Sequence, residues 1–195
     1  MDNNLTLDCK RTALVLIDLQ QGIAGMPVEP HSGKEVIANA VALADSFRKN
    51  GGLVVLVRVS SVGDGKDMLH PLSDTPAFRP ASARAEGWDK IVPELGPKPG
   101  DLLITKHQWG AFYGTELDLQ LRRRGIETIV IGGISTNIGV ESTARDAFER
   151  GYQQIFVEDM MAGMSAEAHT FAVTTIFPRI GRVRQTNEVF AALEG

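Results

Sequence analysis

An α/β fold built on a doubly wound parallel sheet is predicted by three observations on these 195 residues. Short β-branched apolar runs recur along the chain, segments with apolar residues at helical spacing alternate with them, and glycines stand where those helices must stop. Strand, helix and strand in series give right-handed crossovers, so six strands should lie parallel and buried between helices. The expected result is a three-layer α/β/α, Rossmann-like arrangement in a single domain over residues 1–195. Ligands in such sheets bind beyond the carboxyl ends of the strands.

The elements follow in order. Ala13–Asp18 is the first strand, and Lys34–Lys49 a helix stopped by Gly51. Leu53–Val59 and Leu102–Thr105 are strands; Glu116–Arg124 is a helix with Thr115 at its N-cap and Gly125 beyond its end. The run Arg122-Arg123-Arg124 suits a helix C-terminus, where the dipole favours cations. Thr128–Ile131 is a strand, Ile138–Arg150 a helix stopped by Gly151, and Gln154–Val157 a strand. Ser165 caps a helix over Ala166–Phe177, Gly181–Arg184 is a sixth strand, and Thr186–Leu193 a short amphipathic tail. Ser61–Gly100 breaks the pattern: it holds six of the nine prolines and no sustained period. At that length it is expected to be a lid or a subunit contact.

Composition excludes several classes of function. A hydrophobic content of 43% supports one sizeable core, and no apolar run is long enough to cross a bilayer. Met1-Asp2-Asn3-Asn4 has no signal-peptide pattern, so a cytoplasmic location is expected. The formal charge of −4 gives no basic footprint for nucleic acid. Cys9 is the single cysteine, which rules out an intrachain disulfide or a cysteine metal cluster. The four histidines, His31, His70, His107 and His169, are scattered without ligand spacing, so neither a metal nor another cofactor is expected.

Three strand ends carry candidate chemistry. Asp18 closes an otherwise apolar strand, where partial desolvation raises its pKa and suits it to proton transfer. Alternatively it caps a helix or a loop. Lys106 follows Leu102-Leu103-Ile104-Thr105 and could hold Asp18 ionised, orient a carboxylate or stabilise developing negative charge; the bland reading is a solvated lysine. The third is Gly132–Gly139, a turn from strand into helix whose glycines allow close backbone approach and whose first helical amides face outward as an oxyanion receptor. Gln108-Trp109-Gly110-Ala111-Phe112-Tyr113-Gly114 places three aromatics beside Lys106, either as the wall of a flat pocket or as filling for the core or a subunit interface. His107 reads as a surface or supporting residue, and Arg145 with Asp146 as a structural ion pair or a cap for a neighbouring loop.

Taken together, Leu16-Ile17-Asp18-Leu19-Gln20, Thr105-Lys106, Phe112-Tyr113-Gly114-Thr115-Glu116-Leu117 and Gly133-Ile134-Ser135-Thr136-Asn137-Ile138-Gly139-Val140-Glu141-Ser142-Thr143-Ala144-Arg145-Asp146-Ala147 resemble the isochorismatase-like hydrolases over about residues 11–185. The resemblance implies a six-stranded parallel sheet, a homo-oligomer (dimer or tetramer), and a cis peptide before the residue matched by Ser135. In the nicotinamidase and carbamoylase branches it also implies an Asp, Lys, Cys triad. Here the family cysteine aligns with Gly139, and the family's metal-site aspartate and histidines have no counterpart. Isochorismatases proper are similar in having glycine at that position; there an aspartate like Asp18 protonates the enol methylene of a vinyl ether and water captures the oxocarbenium ion. Their tyrosine after the strand is Ser135 here, and their glutamine near Ser60 is absent.

The resulting expectation is a hydrolase of a small, planar or anionic substrate. Asp18 and Lys106 act with Gly139 at the cysteine position, and Gln20, Trp109, Phe112, Tyr113, Ile134 and Ser135 hold the substrate. Two alternatives accompany it: an amide hydrolase using Ser135 or Thr136 as nucleophile, and a binding or scaffold protein that keeps the fold without the chemistry.

Overall fold

The computed structural model describes residues 5–75 and 85–194, and shows the predicted α/β class. Six parallel strands, β1 (Thr12–Ile17), β2 (Leu53–Val59), β3 (Leu102–Lys106), β4 (Thr128–Ile134), β5 (Gln153–Ala162) and β6 (Arg182–Arg184), lie in the order β3-β2-β1-β4-β5-β6. The chain therefore starts at the centre and winds outward in both directions. The switch point falls between β1 and β4, where a crevice opens at the carboxyl ends.

Alternation along β1 explains the layers. All six of its residues are buried, with Ala13, Val15 and Ile17 facing one cluster and Leu14 and Leu16 the other. The first cluster is filled by Leu117 and Leu121 of helix α3 (Leu117–Arg123) and by Ala144 and Ala147 of α4 (Glu141–Glu149), with Phe156 stacked on Phe177 at 4.1 Å. The second takes Val36, Ala40, Leu43 and Phe47 from helix α2 (Gly33–Lys49) and Val189 from α7 (Thr186–Glu194). Helix α2 starts with a capping box, in which Ser32 and Glu35 each satisfy the other's backbone N–H. A four-residue helix α1 (Gln21–Ala24), absent from the sequence expectation, follows β1. No helix among the described residues is long and apolar enough to cross a membrane.

Several expectations need correction. Thr115 is not the N-cap of α3, which begins one residue later than its position requires; its Oγ1 nonetheless accepts from the Leu117 N–H at 3.2 Å. Gly132 and Gly133, read as a turn, continue β4. A Cβ on Gly132 would lie 2.7 Å from Met160 Cε, and one on Gly133, at φ 133°, 2.0 Å from the Ile17 carbonyl oxygen. These glycines let strands close up rather than let the chain turn. Strand β5 likewise outruns its expected end at Val157, because a bulge carries Glu158 and Asp159: the register with β4 passes from Ile131↔Phe156 to Gly133↔Met161. The helix expected over Ala166–Phe177 is three pieces, α5 (Ala166–Phe171), a π-helical turn (Ala172–Ile176) and α6 (Phe177–Ile180). The Ser61–Gly100 segment is not only a surface excursion: Ile91, Val92 and Leu95 complete the α2-side core, while residues 76–84 of it lie outside the described residues.

Candidate active site

At the end of β1 the backbone leaves the strand through Asp18, the sole non-glycine residue with positive φ (55°) among the described residues. Aspartate tolerates this left-handed region better than most residues. Its N–H still donates to the Val57 carbonyl at 2.9 Å, so the strand hydrogen-bonds up to its last residue. Lys106, the last residue of β3, reaches past the end of β2. Its Nζ donates to Asp18 Oδ2 at 2.7 Å and to the Trp109 carbonyl at 2.7 Å. Both side chains are buried, 7% exposed for Asp18 and 2% for Lys106. The structure thus excludes the reading of Lys106 as a solvated lysine.

Burial pushes the Asp18 carboxyl up from its ordinary value; the charge and hydrogen bond of Lys106 pull it back only in part, and the net direction is upward. Asp18 Oδ1 is buried with no hydrogen-bond partner among the described residues. The third expected segment closes on the same spot. A Cβ on Gly139 would stand 3.0 Å from Asp18 Oδ2, 3.1 Å from Ile17 Cγ2 and 3.4 Å from Lys106 Nζ. Gly139 sits in a π-helical turn (Thr136–Val140) leading into α4, an irregularity that recurs at functional sites. The Ile134-Ser135 peptide before it is cis, as the resemblance implies. The receptor of helical amides is narrower than expected, because the Ile138 and Val140 N–H groups are both spent on the Ser135 carbonyl, at 3.2 and 3.1 Å.

The residues expected to hold substrate divide. Trp109 and Tyr113 are 67% and 75% exposed beside Lys106, and Ser135 is half-buried at the turn. Phe112 instead packs into the core against Tyr152, with the Arg150 guanidinium over its ring, so its side chain is no pocket wall. Ile134 is buried in the opposite core cluster and offers backbone only. Gln20 is fully buried, and its amide is committed to backbone: Oε1 accepts from Val59 N–H at 2.9 Å, and Nε2 donates to the Val59 and Trp88 carbonyls at 3.1 and 3.3 Å. It latches β1, β2 and the 85–100 segment around Asp18. His107 supports the rim through the Ser60 carbonyl and Asp67. Arg145 and Asp146 pair with Glu141 and Arg150, not with one another.

Cys9 stands before the amino end of β1, about 20 Å from Asp18 by strand rise, lining a hollow of about 490 Å³ with Arg48 and Arg124. Burial and Asp8 raise its thiol pKa, the wrong direction for a nucleophile.

Sequence spacing concealed one cluster. His31 Nε2 and His169 Nε2 both meet Glu158 Oε1, at 2.9 and 3.0 Å, and His169 Nδ1 meets Thr136 Oγ1 at 2.8 Å. Burial lowers the His169 pKa despite Glu158. Burial pushes Glu158 up, but the hydrogen bonds of His31, Gln185 and His169 outweigh it and hold the carboxyl below its usual value. His31 and His169, far apart in sequence, meet in space, while His70 and His107 lie on the Gly65 and Ser60 carbonyls.

With this geometry in place, comparison with known proteins is specific. Residues 12–188 match the isochorismatase domain family. The chain is 53% identical over 188 residues to the isochorismatase family protein YwoC of Bacillus subtilis strain 168, covering 96% of this chain and 97% of that one. It is 30% identical to the ureidoacrylate amidohydrolase RutB of Variovorax paradoxus strain S110, covering 96% and 84%. An isochorismatase family protein from Burkholderia thailandensis superposes with a TM-score of 0.93 at 47% identity over 99% and 100% of the chains. N-carbamoylsarcosine amidase from Thermoplasma acidophilum superposes with a TM-score of 0.73 at 28% identity over 91% and 97%.

Proposed function

The chain belongs to the isochorismatase family, whose members are hydrolases, and from that premise we propose that it hydrolyses a small molecule through Asp18 and Lys106 with no cysteine nucleophile. The observation that carries this reading is the Asp18 carboxyl: buried, raised in pKa, with a partnerless Oδ1, and faced by a glycine where a thiolate would otherwise crowd it. Such a group keeps its proton to higher pH than an exposed carboxyl does and can give it to a substrate.

The reaction that uses those features is vinyl-ether cleavage of an isochorismate-like substrate. The Asp18 carboxyl gives its proton to the terminal methylene, and the ether oxygen shares its electrons to form an oxocarbenium ion. Water adds to that carbon and its proton passes to the Asp18 carboxylate. The resulting hemiketal collapses to a ketone and an alcohol. Lys106 keeps the carboxylate formed on proton loss from being an isolated buried charge, and Trp109 and Tyr113 flank a planar substrate. General acid catalysis of this kind contributes on the order of 10² to 10⁴ in rate, the remainder falling to positioning.

A second reading, amide cleavage, is favoured by the ureidoacrylate and N-carbamoylsarcosine relatives and by Thr136 Oγ1, which stands on His169 Nδ1 with Glu158 beyond it, the order of a hydroxyl nucleophile, base and orienting acid. Against it, Thr136 is fully buried, so its hydroxyl has no path to a carbonyl. The test is a hydrolysis screen of wild type and Asp18→Asn over isochorismate, nicotinamide and N-carbamoyl compounds. Isochorismate turnover abolished in Asp18→Asn supports the vinyl-ether route; full turnover in Asp18→Asn sinks it. Amide turnover that survives Asp18→Asn and is lost in Thr136→Ala transfers the chemistry to Thr136.

A further inference from the structure

We propose that His31, Glu158 and His169 form a binding site for one divalent transition-metal ion of the zinc type, on the far side of the Ser135–Thr136 turn from Asp18. The three ligand atoms lie within 4.8 Å of one another. Two imidazoles and a carboxylate are a recurrent zinc donor set, and bonds of about 2.0–2.1 Å to a tetrahedral ion separate ligand atoms by about 3.3 Å. The Glu158 Oε1 separations of 2.9 and 3.0 Å fall a few tenths short of that, so an ion enters by a small parting of the rings. Those rings already stand nearly perpendicular, at 80° with centroids 6.1 Å apart, each presenting Nε2 to the same oxygen.

The surroundings are those of a supported metal centre rather than of a chance contact. Each ligand has its own anchor. The β5 bulge displays Glu158, and Gln185 Nε2 holds its other oxygen at 3.0 Å. The loop carrying His31 is pinned to the end of β5 by the paired Glu29 and Gly163 backbone hydrogen bonds, 2.8 Å each. His169 lies on α5, which Ser165 caps through the Ala168 N–H at 3.2 Å. A histidine bound through Nε2 must carry its proton on Nδ1, and Thr136 Oγ1 stands at 2.8 Å to accept it, the outer-shell partner that fixes the tautomer. His169 is 3% exposed and Glu158 20%, whereas His31 is 30% exposed, so the ion has an entry path on the His31 side and room for water as a fourth ligand.

The consequence is a clamp. Thr136 opens the π-helical turn that carries Gly139, so an ion at this site ties the loop before α2, the β5 bulge and α5 to the same turn. The test uses the full chain stripped by chelator and dialysis, then titrated with Co²⁺ while visible absorption is followed, and with Zn²⁺ by calorimetry. One ion per chain is expected, with visible bands of four-coordinate cobalt and a zinc-dependent rise in the thermal midpoint. Glu158→Gln, nearly isosteric, should weaken binding at least ~100-fold, and Thr136→Val, one shell out, about 10- to 100-fold. Circular dichroism checks folding, and His31→Asn replaces Glu158→Gln should the latter not fold. Absence of cobalt bands and of any zinc-dependent stabilisation in wild type overturns the site. So does zinc binding that is equal in wild type, Glu158→Gln and His31→Asn, since the ion is then held elsewhere.

Discussion

Separating Asp18 from Lys106 one residue at a time tests whether the pair is a buried, proton-holding unit. Both side chains are almost fully removed from water, and the ammonium has Asp18 Oδ2 and the Trp109 carbonyl as its partners, each at 2.7 Å. At pH above the Asp18 pKa, where the carboxyl is ionised, Asp18→Asn leaves that ammonium buried without a counter-charge and should cost about 3–5 kcal/mol; below that pKa the loss should be smaller. Lys106→Met removes the charge and hydrogen bond that lower the Asp18 pKa most and leaves burial, the larger influence, opposed only by the Val59 backbone. The carboxyl then stays folded mainly as the neutral acid. A carboxyl whose folded pKa lies above its unfolded value, about 3.9, gives stability that is full below that value and is lost as pH rises through the folded pKa, by up to about 1.4 kcal/mol per pH unit. Lys106→Met should accordingly lose least at pH 4 and progressively more toward neutrality, more steeply than wild type. The double variant Asp18→Asn/Lys106→Met has no charge to strand, so it should recover most of the single-variant losses and show no such pH dependence. Urea unfolding followed by circular dichroism from pH 4 to 8 measures all four proteins. A Lys106→Met profile parallel to wild type, or an Asp18→Asn cost below about 1 kcal/mol even at pH 8, would refute the reasoning.

Two further outcomes follow from the same site. Gly139→Ala puts a methyl 3.0 Å from Asp18 Oδ2 and 3.1 Å from Ile17 Cγ2, so turnover on the substrate found by the screen should fall about 10- to 100-fold through misplacement of the acid; unchanged kcat would show that Gly139 does not bound the reacting space. Gln20→Ala strips the Val59 N–H of its partner and takes one donor each from the Val59 and Trp88 carbonyls, the latter keeping the Gly22 N–H at 2.8 Å, and should cost about 1–3 kcal/mol in urea unfolding. If it raises KM with stability unchanged, Gln20 touches substrate after all.

Asp18 and Lys106 were legible because each is a lone charge ending an apolar run, and in a parallel sheet such ends gather at one edge. The Gly132–Gly139 segment was legible as a glycine-rich turn, but the place of Gly139 against Asp18 only through the family pattern, since a glycine carries no side chain to announce its neighbours. Other features were hidden for identifiable reasons. Glycines that let strands approach look the same in sequence as glycines that turn, hence Gly132 and Gly133. An aromatic near a loop reads equally as wall or core until its neighbours are known, hence Phe112 beside Tyr152. The His31–Glu158 contact joins residues 127 apart through a loop and a bulge, and no spacing rule spans that distance.

The central position of β1 also governs how the chain must be made. Thr12–Ile17 can pair with β2 soon after synthesis, but its other edge stays bare until Thr128–Ile134 has emerged from the ribosome. Until then the most apolar strand of the protein presents a row of open N–H and C=O groups, the template on which foreign strands add. A chain released before β4 is therefore a stickier object than its composition suggests. The crevice between β1 and β4 that houses Asp18 and Gly139 does not exist as a place until both halves have joined, which makes the pairing of β1 with β4 and the assembly of the site one event.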